Sequence, residues 1–327
     1  MLANKSCHLA NFDGEEELFT VGSANCELLW IVQSDEQNLP IGTLLNCVNN
    51  ESSRRKISMR HNRSTLKDEL IQESALGRVL LQHAYGRADE AASTEERNVH
   101  CQCANVLLRD LPSGRPYFRL ARSPLFNANI SHDSGCVAIA GTARGFVGVD
   151  IMRVWTGPQK RPVKEHLKNS SLSLLTSELD WIGSQVDVLR AFLSVWVAKE
   201  AAAKATGWGF SKNTDPETLL VKPLTPPMSF QVTFLKLHDQ DGKNPVVFVN
   251  EEEVTFGGLP YIVGTAVVPH SATFVMEDLR ATVDTTPTRP PSRQIETAPP
   301  LGRAVSKPSS LQPLQIGASV GVLSVIR

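Results

Sequence analysis

The chain has no Cys-x-x-Cys pair and no paired Cys/His spacing that would suggest zinc. Its six cysteines are Cys7, Cys26, Cys47, Cys101, Cys103 and Cys136, and only Cys101 and Cys103, beside His100, come near a cluster. No basic segment followed by an apolar one opens the sequence, so no export signal is expected and reduced thiols are the default. The longest apolar runs, such as Leu28-Leu29-Trp30-Ile31-Val32, are far too short to span a bilayer. Formal net charge is −1, so no global field points to nucleic acid or to a membrane surface. No internal repeat is visible. These absences lead to the expectation of a cytoplasmic monomer with no nucleic-acid or membrane partner.

Apolar residues make up 41% of the 327, enough for the core of an ordinary soluble protein. That length allows one large domain or two smaller ones. Glu27 to Val32 reads as a first strand, after a stretch, 1–25, expected to be flexible. Residues 65–85 keep a helical period through Leu66, Leu70, Ile71, Ala75, Leu76, Val79 and Leu80. Arg78 and the basic cluster Arg54, Arg55, Lys56, Arg60 and Arg63 flank that helix. Val106 to Leu108 reads as a short strand leading to Arg109 and a turn at Pro112–Pro116. Helices are expected at 172–184 and 186–206. Strands are expected at 230–234, 246–249, 253–256 and 261–268, with Gly242, Gly257 and Gly258 marking turns. From about Thr282 onward prolines are scattered among Ser, Thr and Gln, a composition that cannot offset ordering entropy, so 282–327 reads as a disordered tail.

Three segments carry chemistry. Phe192, Trp196, Glu200 and Lys204 are each four residues apart, so two aromatics and two charges share one helical stripe closed by Gly207-Trp208-Gly209. Taken alone, Glu200 and Lys204 are an ordinary surface pair worth about 0.2–0.5 kcal/mol. The second segment is Phe126-Asn127-Ala128-Asn129-Ile130-Ser131-His132, followed at once by the strand-like Cys136–Ala140. The third is Phe146-Val147-Gly148-Val149-Asp150-Ile151, an apolar run ending in an acid. The turn Gly141–Gly145 between the two runs suggests a hairpin. Asp150 would then need a partner, and a metal ion is one such partner.

Taken in order with Gly114-Arg115-Pro116, these segments resemble the Sfp-type 4′-phosphopantetheinyl transferases. That family shows Gly-Lys/Arg-Pro, Phe-Asn-x-Ser-His, Gly-Val/Ile-Asp-Ile and Trp-x-x-Lys-Glu-(x)-x-x-Lys-x-x-Gly-x-Gly. The extra Asn-x before Ile130-Ser131-His132, and Met152 after Ile151, are similar to the eukaryotic broad-specificity branch, of the L-aminoadipate-semialdehyde dehydrogenase phosphopantetheinyl transferase kind. The resemblance covers roughly residues 55 to 280.

It implies an α+β fold of two similar α/β halves in a pseudo-twofold arrangement. The halves are 1–147 and 148–281, with the tail after them and the substrate in the cleft between. It implies a holo-[acyl-carrier-protein] synthase, which moves 4′-phosphopantetheine from coenzyme A to a serine of apo acyl or peptidyl carrier proteins. Adenosine 3′,5′-bisphosphate is released and Mg²⁺ is required. The route would belong to fatty acid, polyketide or lysine metabolism. Asp150 and Glu200 carry over as metal ligands, and Glu200 and Lys204 as the catalytic pair. The coenzyme A contacts implied are Arg60, Arg109, Gly114, Arg115, Asn129, Ile130, Ser131, His132 and Lys204, with Arg115 and His132 on the 3′-phosphate. Lys199 points about 100° from Glu200 on the helix and reads as a solvated lysine. The basic run Arg153, Lys160, Arg161, Lys164 and Lys168 reads as a patch for an acidic carrier protein. Met152 stands where bacterial members often have a third carboxylate, and a thioether is too soft to ligate Mg²⁺. That leaves open a catalytically weak homologue that binds carrier protein or coenzyme A. A Mg²⁺-dependent nucleotide hydrolase is a further alternative, although no P-loop or Nudix-like acidic helix is present.

Overall fold

The computed structural model describes residues 28–33, 41–48, 50–60, 67–91, 108–111, 115–118, 120, 125–155, 173–210, 214–224, 229–256 and 258–282. In chain order the elements are β1 (Leu28–Gln33), α1 (Ile41–Cys47), α2 (Glu51–Arg60), α3 (Lys67–Ala91), β2 (Arg109–Asp110), β3 (Pro116–Tyr117), β4 (Asn127–Asp133), β5 (Cys136–Thr142) and β6 (Gly145–Arg153). There follow α4 (Thr176–Gly183), α5 (Val188–Ala205), β7 (Leu219–Leu224), β8 (Ser229–Phe234), β9 (Val246–Phe256), β10 (Leu259–Pro269) and α6 (Glu277–Arg280). The expected flexible start 1–25, the tail beyond 282, Gly114, the His100/Cys101/Cys103 group and Lys160, Arg161, Lys164 and Lys168 lie outside the described residues.

Two antiparallel sheets stack face to face. The smaller has the order β1-β5-β4 and the larger β6-β10-β9-β8-β7; β2 and β3 form a separate pair. Strand alternation decides what each face buries. In β5, Val137 and Ile139 pack with Ala75, Leu76, Val79 and Leu80 of α3. The residues between them, Cys136, Ala138 and Ala140, pack instead with Val147, Val149 and Ile151 of β6 and with Tyr261 and Val263 of β10. The opposite face of the larger sheet, including Phe146, Ile262, Ala266 and Val268, packs on α5. The layers therefore run α3, small sheet, large sheet, α5. The fold is α+β, as the resemblance implied.

Helix α5 starts at Asp187, whose side chain accepts from the Arg190 backbone N–H, and ends at Gly207, where φ is +81°. Its small residues Ala201, Ala202, Ala203 and Ala205 are fully buried. Two sheet glycines complete this close approach. A Cβ on Gly148 would lie 2.0 Å from the Ala201 carbonyl oxygen, and one on Gly264 would lie 2.5 Å from a Val197 methyl.

The structure corrects the expected hairpin between 136–140 and 146–151. Strand β5 pairs with β1 and β4, whereas β6 pairs with β10 in the other sheet. Both edges of β5 are already paired, with β1 and β4, and the chain steps across between Thr142 and Gly145. A Cβ on Gly145 would sit 2.3 Å from the Val268 carbonyl oxygen, so β6 can enter alongside β10 only without one. The hairpin that does form joins β4 and β5 through Ser134 and Gly135, both at positive φ (47° and 87°). The two strands expected at 246–249 and 253–256 are one, β9, continuous through a buried Glu251. Thr282, assigned to the tail from sequence, is buried, and its carbonyl accepts from the Tyr117 hydroxyl at 3.1 Å.

Candidate active site

Strand β4 of the small sheet lies against β6 of the large one, and the end of α5 closes over both. Asp150, on the face of β6 that looks toward α5, is 5% exposed. Its Oδ1 accepts from Ser131 Oγ at 2.7 Å and from Lys204 Nζ at 2.6 Å, and Lys204 also donates to Ser131 Oγ at 3.1 Å. Glu200 approaches the same ammonium at 3.7 Å. Burial pushes the Glu200 carboxyl up to about 7; the Lys204 charge opposes this and the Asp150 charge adds to it. Burial alone would lower Lys204, but the charges of Asp150 and Glu200 hold it above the usual lysine range.

The cleft around this group has a volume of about 850 Å³, and Asn129, Ile130, Ser131 and His132 of β4 line it with Asp150, Glu200 and Lys204. His132 is held by Glu73 and Ser74 of α3: Nδ1 is 3.0 Å from Glu73 Oε2 and Nε2 is 3.3 Å from Ser74 Oγ. Glu73 Oε1 also accepts from the Gly135 N–H at 2.6 Å. The Arg153 N–H donates to Asp133 at 2.8 Å, and the Tyr261 hydroxyl donates to the Ser134 carbonyl at 2.9 Å. The β4–β5 turn is thus tied to α3 and to the large sheet, which fixes the position of His132.

Lys56 and Arg78 also line the cleft, although the sequence reading had not placed them in the site. Both bind Asp110, at 2.8 Å and 2.7 Å. Burial would raise that carboxyl, but the Lys56 hydrogen bond and the Arg78 charge bring it below its usual range. The signal available was position: Ser74 and Arg78 are four apart on a helix, and Lys56 belongs to the basic cluster ahead of it. Arg60 closes α2 and Arg109 opens β2 opposite Tyr117; their side chains lie outside the described residues.

Two residues stand differently from the sequence reading. Lys199 is fully buried rather than solvated. Its ammonium bonds Glu178 Oε2 at 2.6 Å, the Pro216 carbonyl at 2.7 Å and the Ser173 carbonyl at 3.2 Å. Burial pulls the Lys199 ammonium down, and Glu178 opposes this. Arg115 lines the cleft but is 7% exposed, with its guanidinium directed into the protein. Burial lowers it to about 10, against the charges of Tyr85 and Asp278.

The donor set suits a hard divalent cation. Asp150 and Glu200 offer carboxylate oxygens and Ser131 a hydroxyl, the chemistry of Mg²⁺ when substrate phosphates and water complete the shell. Burial is the main cause of the raised Glu200 carboxyl and the Asp150 charge adds to it; a cation between the two carboxylates would favour their charged forms. Among the described residues no group of three or more His, Cys, Asp or Glu side chains is placed to hold a metal. Met152, two residues beyond Asp150 on the same face of β6, packs against the apolar core under α5.

Residues 146–253 match the family model of the 4′-phosphopantetheinyl transferase superfamily. The resemblance is thereby borne out over this segment, which holds two of the four motifs, Gly148–Ile151 and Trp196–Gly209, and takes in β6, α5 and most of the large sheet. A provisionally named 4′-phosphopantetheinyl transferase of Haemophilus influenzae is 34% identical over 108 residues, 31% of this chain and 40% of that protein. The L-aminoadipate-semialdehyde dehydrogenase-phosphopantetheinyl transferase of Schizosaccharomyces pombe is 27% identical over 169 residues, 48% of this chain and 56% of that protein. The chain thus spans about half the length of the curated relatives it matches.

Proposed function

We propose that this protein transfers 4′-phosphopantetheine from coenzyme A to a serine hydroxyl of an apo carrier protein. The observation that carries the reading is the convergence of all four motifs on one cleft: Arg115, then Asn129 to His132, then Asp150, then Glu200 and Lys204. The serine oxygen bonds to the phosphorus that bears pantetheine. The P–O bond to the other phosphate breaks, and adenosine 3′,5′-bisphosphate leaves. Asp150 and Glu200 are the residues to hold Mg²⁺, which when bound would neutralise pyrophosphate charge. Lys204 stands beside both carboxylates and is placed to meet the pyrophosphate. Glu200, part-exposed on the cleft wall, takes the serine proton directly or through a water. His132, held by Glu73, and Lys56, whose side chain is 61% exposed, are the side chains for the 3′-phosphate. Asn129 and Ser131 add polar contacts beside them. The α3 helix on the small sheet and the α5 helix on the large one are the two halves of the proposed pseudo-twofold arrangement.

The name of the Schizosaccharomyces pombe relative makes an L-aminoadipate-semialdehyde dehydrogenase one candidate acceptor, beside acyl and peptidyl carriers. A cytoplasmic monomer fits this role, and no helix among the described residues is long and apolar enough to cross a membrane. Mass spectrometry of an apo carrier panel with coenzyme A and Mg²⁺ tests the reading. The expected product is one phosphopantetheine on serine. Free phosphopantetheine released without any carrier would mark a hydrolase instead. Coenzyme A binding without transfer to any carrier would mark a non-catalytic homologue.

A further inference from the structure

We infer that Arg115 is a positioning residue that clamps the two halves of the site together, and is not a ligand of the substrate phosphates. Its contacts run inward. Nη1 donates to the Lys204 carbonyl at 2.8 Å. Nη2 donates to the Val147 carbonyl at 2.7 Å, to the Ala128 carbonyl at 3.2 Å and to Asn127 Oδ1. Asn127 Oδ1 in turn accepts from the Val147 N–H at 3.2 Å. One planar fork therefore joins β4 of the small sheet, β6 of the large sheet and the last turn of α5. These are the elements that carry Ser131 and His132, Asp150, and Glu200 and Lys204.

The fork geometry is what makes this joint possible. A guanidinium offers donors in several fixed in-plane directions, so it can bridge three backbones that do not hydrogen-bond to one another. The Lys204 contact matters most for chemistry. It holds the carbonyl of the residue whose ammonium bonds Asp150, in the last turn of α5, where that carbonyl also accepts from the Gly207 N–H at 3.2 Å. The Arg115 Nε is buried with no partner among the described residues, so the clamp is built around Nη1 and Nη2 alone. A phosphate that drew the guanidinium outward would break bonds to both halves at once.

The inference rests on the transferase reading for its kinetic arm, and the other arms are independent of it. Arg115→Met keeps length and removes every donor. Arg115→Lys keeps one charge and up to three donors from a single point. In transfer assays Arg115→Met should lose about tenfold or more in kcat, with a smaller change in KM. Added guanidinium should restore part of that loss in Arg115→Met and none in the wild type. Coenzyme A and dephospho-coenzyme A should lose affinity by the same factor in calorimetry, leaving their ratio within about twofold of the wild type. Hydrogen exchange in Arg115→Met should rise in peptides covering 127–133 and 198–209 and stay unchanged around Glu178. A selective loss of coenzyme A affinity would overturn the inference and put the guanidinium on the 3′-phosphate. Unchanged exchange in both peptides would overturn it too. If Arg115→Met does not fold, the same ratio and exchange measurements on Arg115→Lys decide. A wild type that modifies no carrier defeats the transferase reading, and the exchange pattern still decides the role of Arg115.

Discussion

Lys199 and Glu200 are adjacent on α5 and face opposite environments. The Lys199 ammonium is fully buried against Glu178, while Glu200 opens on the cleft beside Lys204. Glu178 completes the internal side: its carboxylate also accepts from the backbone N–H groups of Leu175 and Val221. One ion pair thus ties α5 to the start of α4 and to β7, and fixes the rotation of α5 that presents Glu200.

Lys199→Met should therefore act on stability. It strands a buried carboxylate, which costs about 3–5 kcal/mol. Denaturant unfolding checks this. Adding Glu178→Gln should recover part of the loss, because the orphaned charge is removed as well. A single variant as stable as the wild type would show that the pair holds nothing.

Asp150→Ala and Glu200→Gln should each remove most transfer, about a hundredfold or more, while the melting temperature stays close to that of the wild type. Mg²⁺ should raise the wild-type melting temperature and should raise that of either variant less. Near-normal turnover in a folded variant would take that carboxylate out of the mechanism.

Glu251 gives a pH signature away from the cleft. It is 6% exposed and accepts from Ser194 at 3.0 Å. Burial raises its carboxyl above the ordinary 4.5, against the Ser194 hydrogen bond and the Arg190 charge. The folded protein thus holds this proton more tightly than the unfolded chain does. Stability is lost as pH rises from 4.5 towards the raised folded value, and the loss persists above it. Glu251→Gln stays neutral and keeps an acceptor for Ser194. It should raise the melting temperature by about 2–4 °C at neutral pH. The gain should vanish once the solution is acidic enough to protonate the carboxyl in both states. An equal gain at both pH values would assign it to packing.

Gly148→Ala should cost about 3 kcal/mol, the upper end of overpacking costs, because the new Cβ would lie 2.0 Å from the Ala201 carbonyl oxygen and 2.4 Å from the Ala205 nitrogen. It should lower transfer as well, by displacing the helix that carries Glu200. Gly183→Ala is the control, with nothing within 4 Å of its added Cβ. Similar melting curves for the two would remove close packing as the reason for Gly148.

Helices α3, α4 and α5 and most of the large sheet were legible from apolar residues at helical or alternating spacing, although α5 is buried on nearly every side. The stripe of Glu200 and Lys204 was legible for the same reason, since spacing by four fixes a common side. Pairing between distant strands was not. Nothing local to 136–151 says that consecutive strands part into different sheets; that choice belongs to β1 and β10, far away in the chain. The partners of charged groups were equally hidden. Lys199 reads as a solvated helix lysine until Glu178, Ser173 and Pro216 converge on it. Lys56 and Arg78 entered the site through Asp110, and no pattern within the basic cluster announces that contact.

The step of the chain from β5 into β6 divides the site in a particular way. Asp150, Glu200 and Lys204 all follow it in sequence, whereas Ser131, His132, Glu73, Lys56 and Arg78 precede it. In the proposed mechanism, the groups for phosphorus chemistry thus descend from one side of a single crossing and those that discriminate the donor nucleotide from the other. Substitutions could then change which donor is accepted without entering the 146–253 segment that defines the family match.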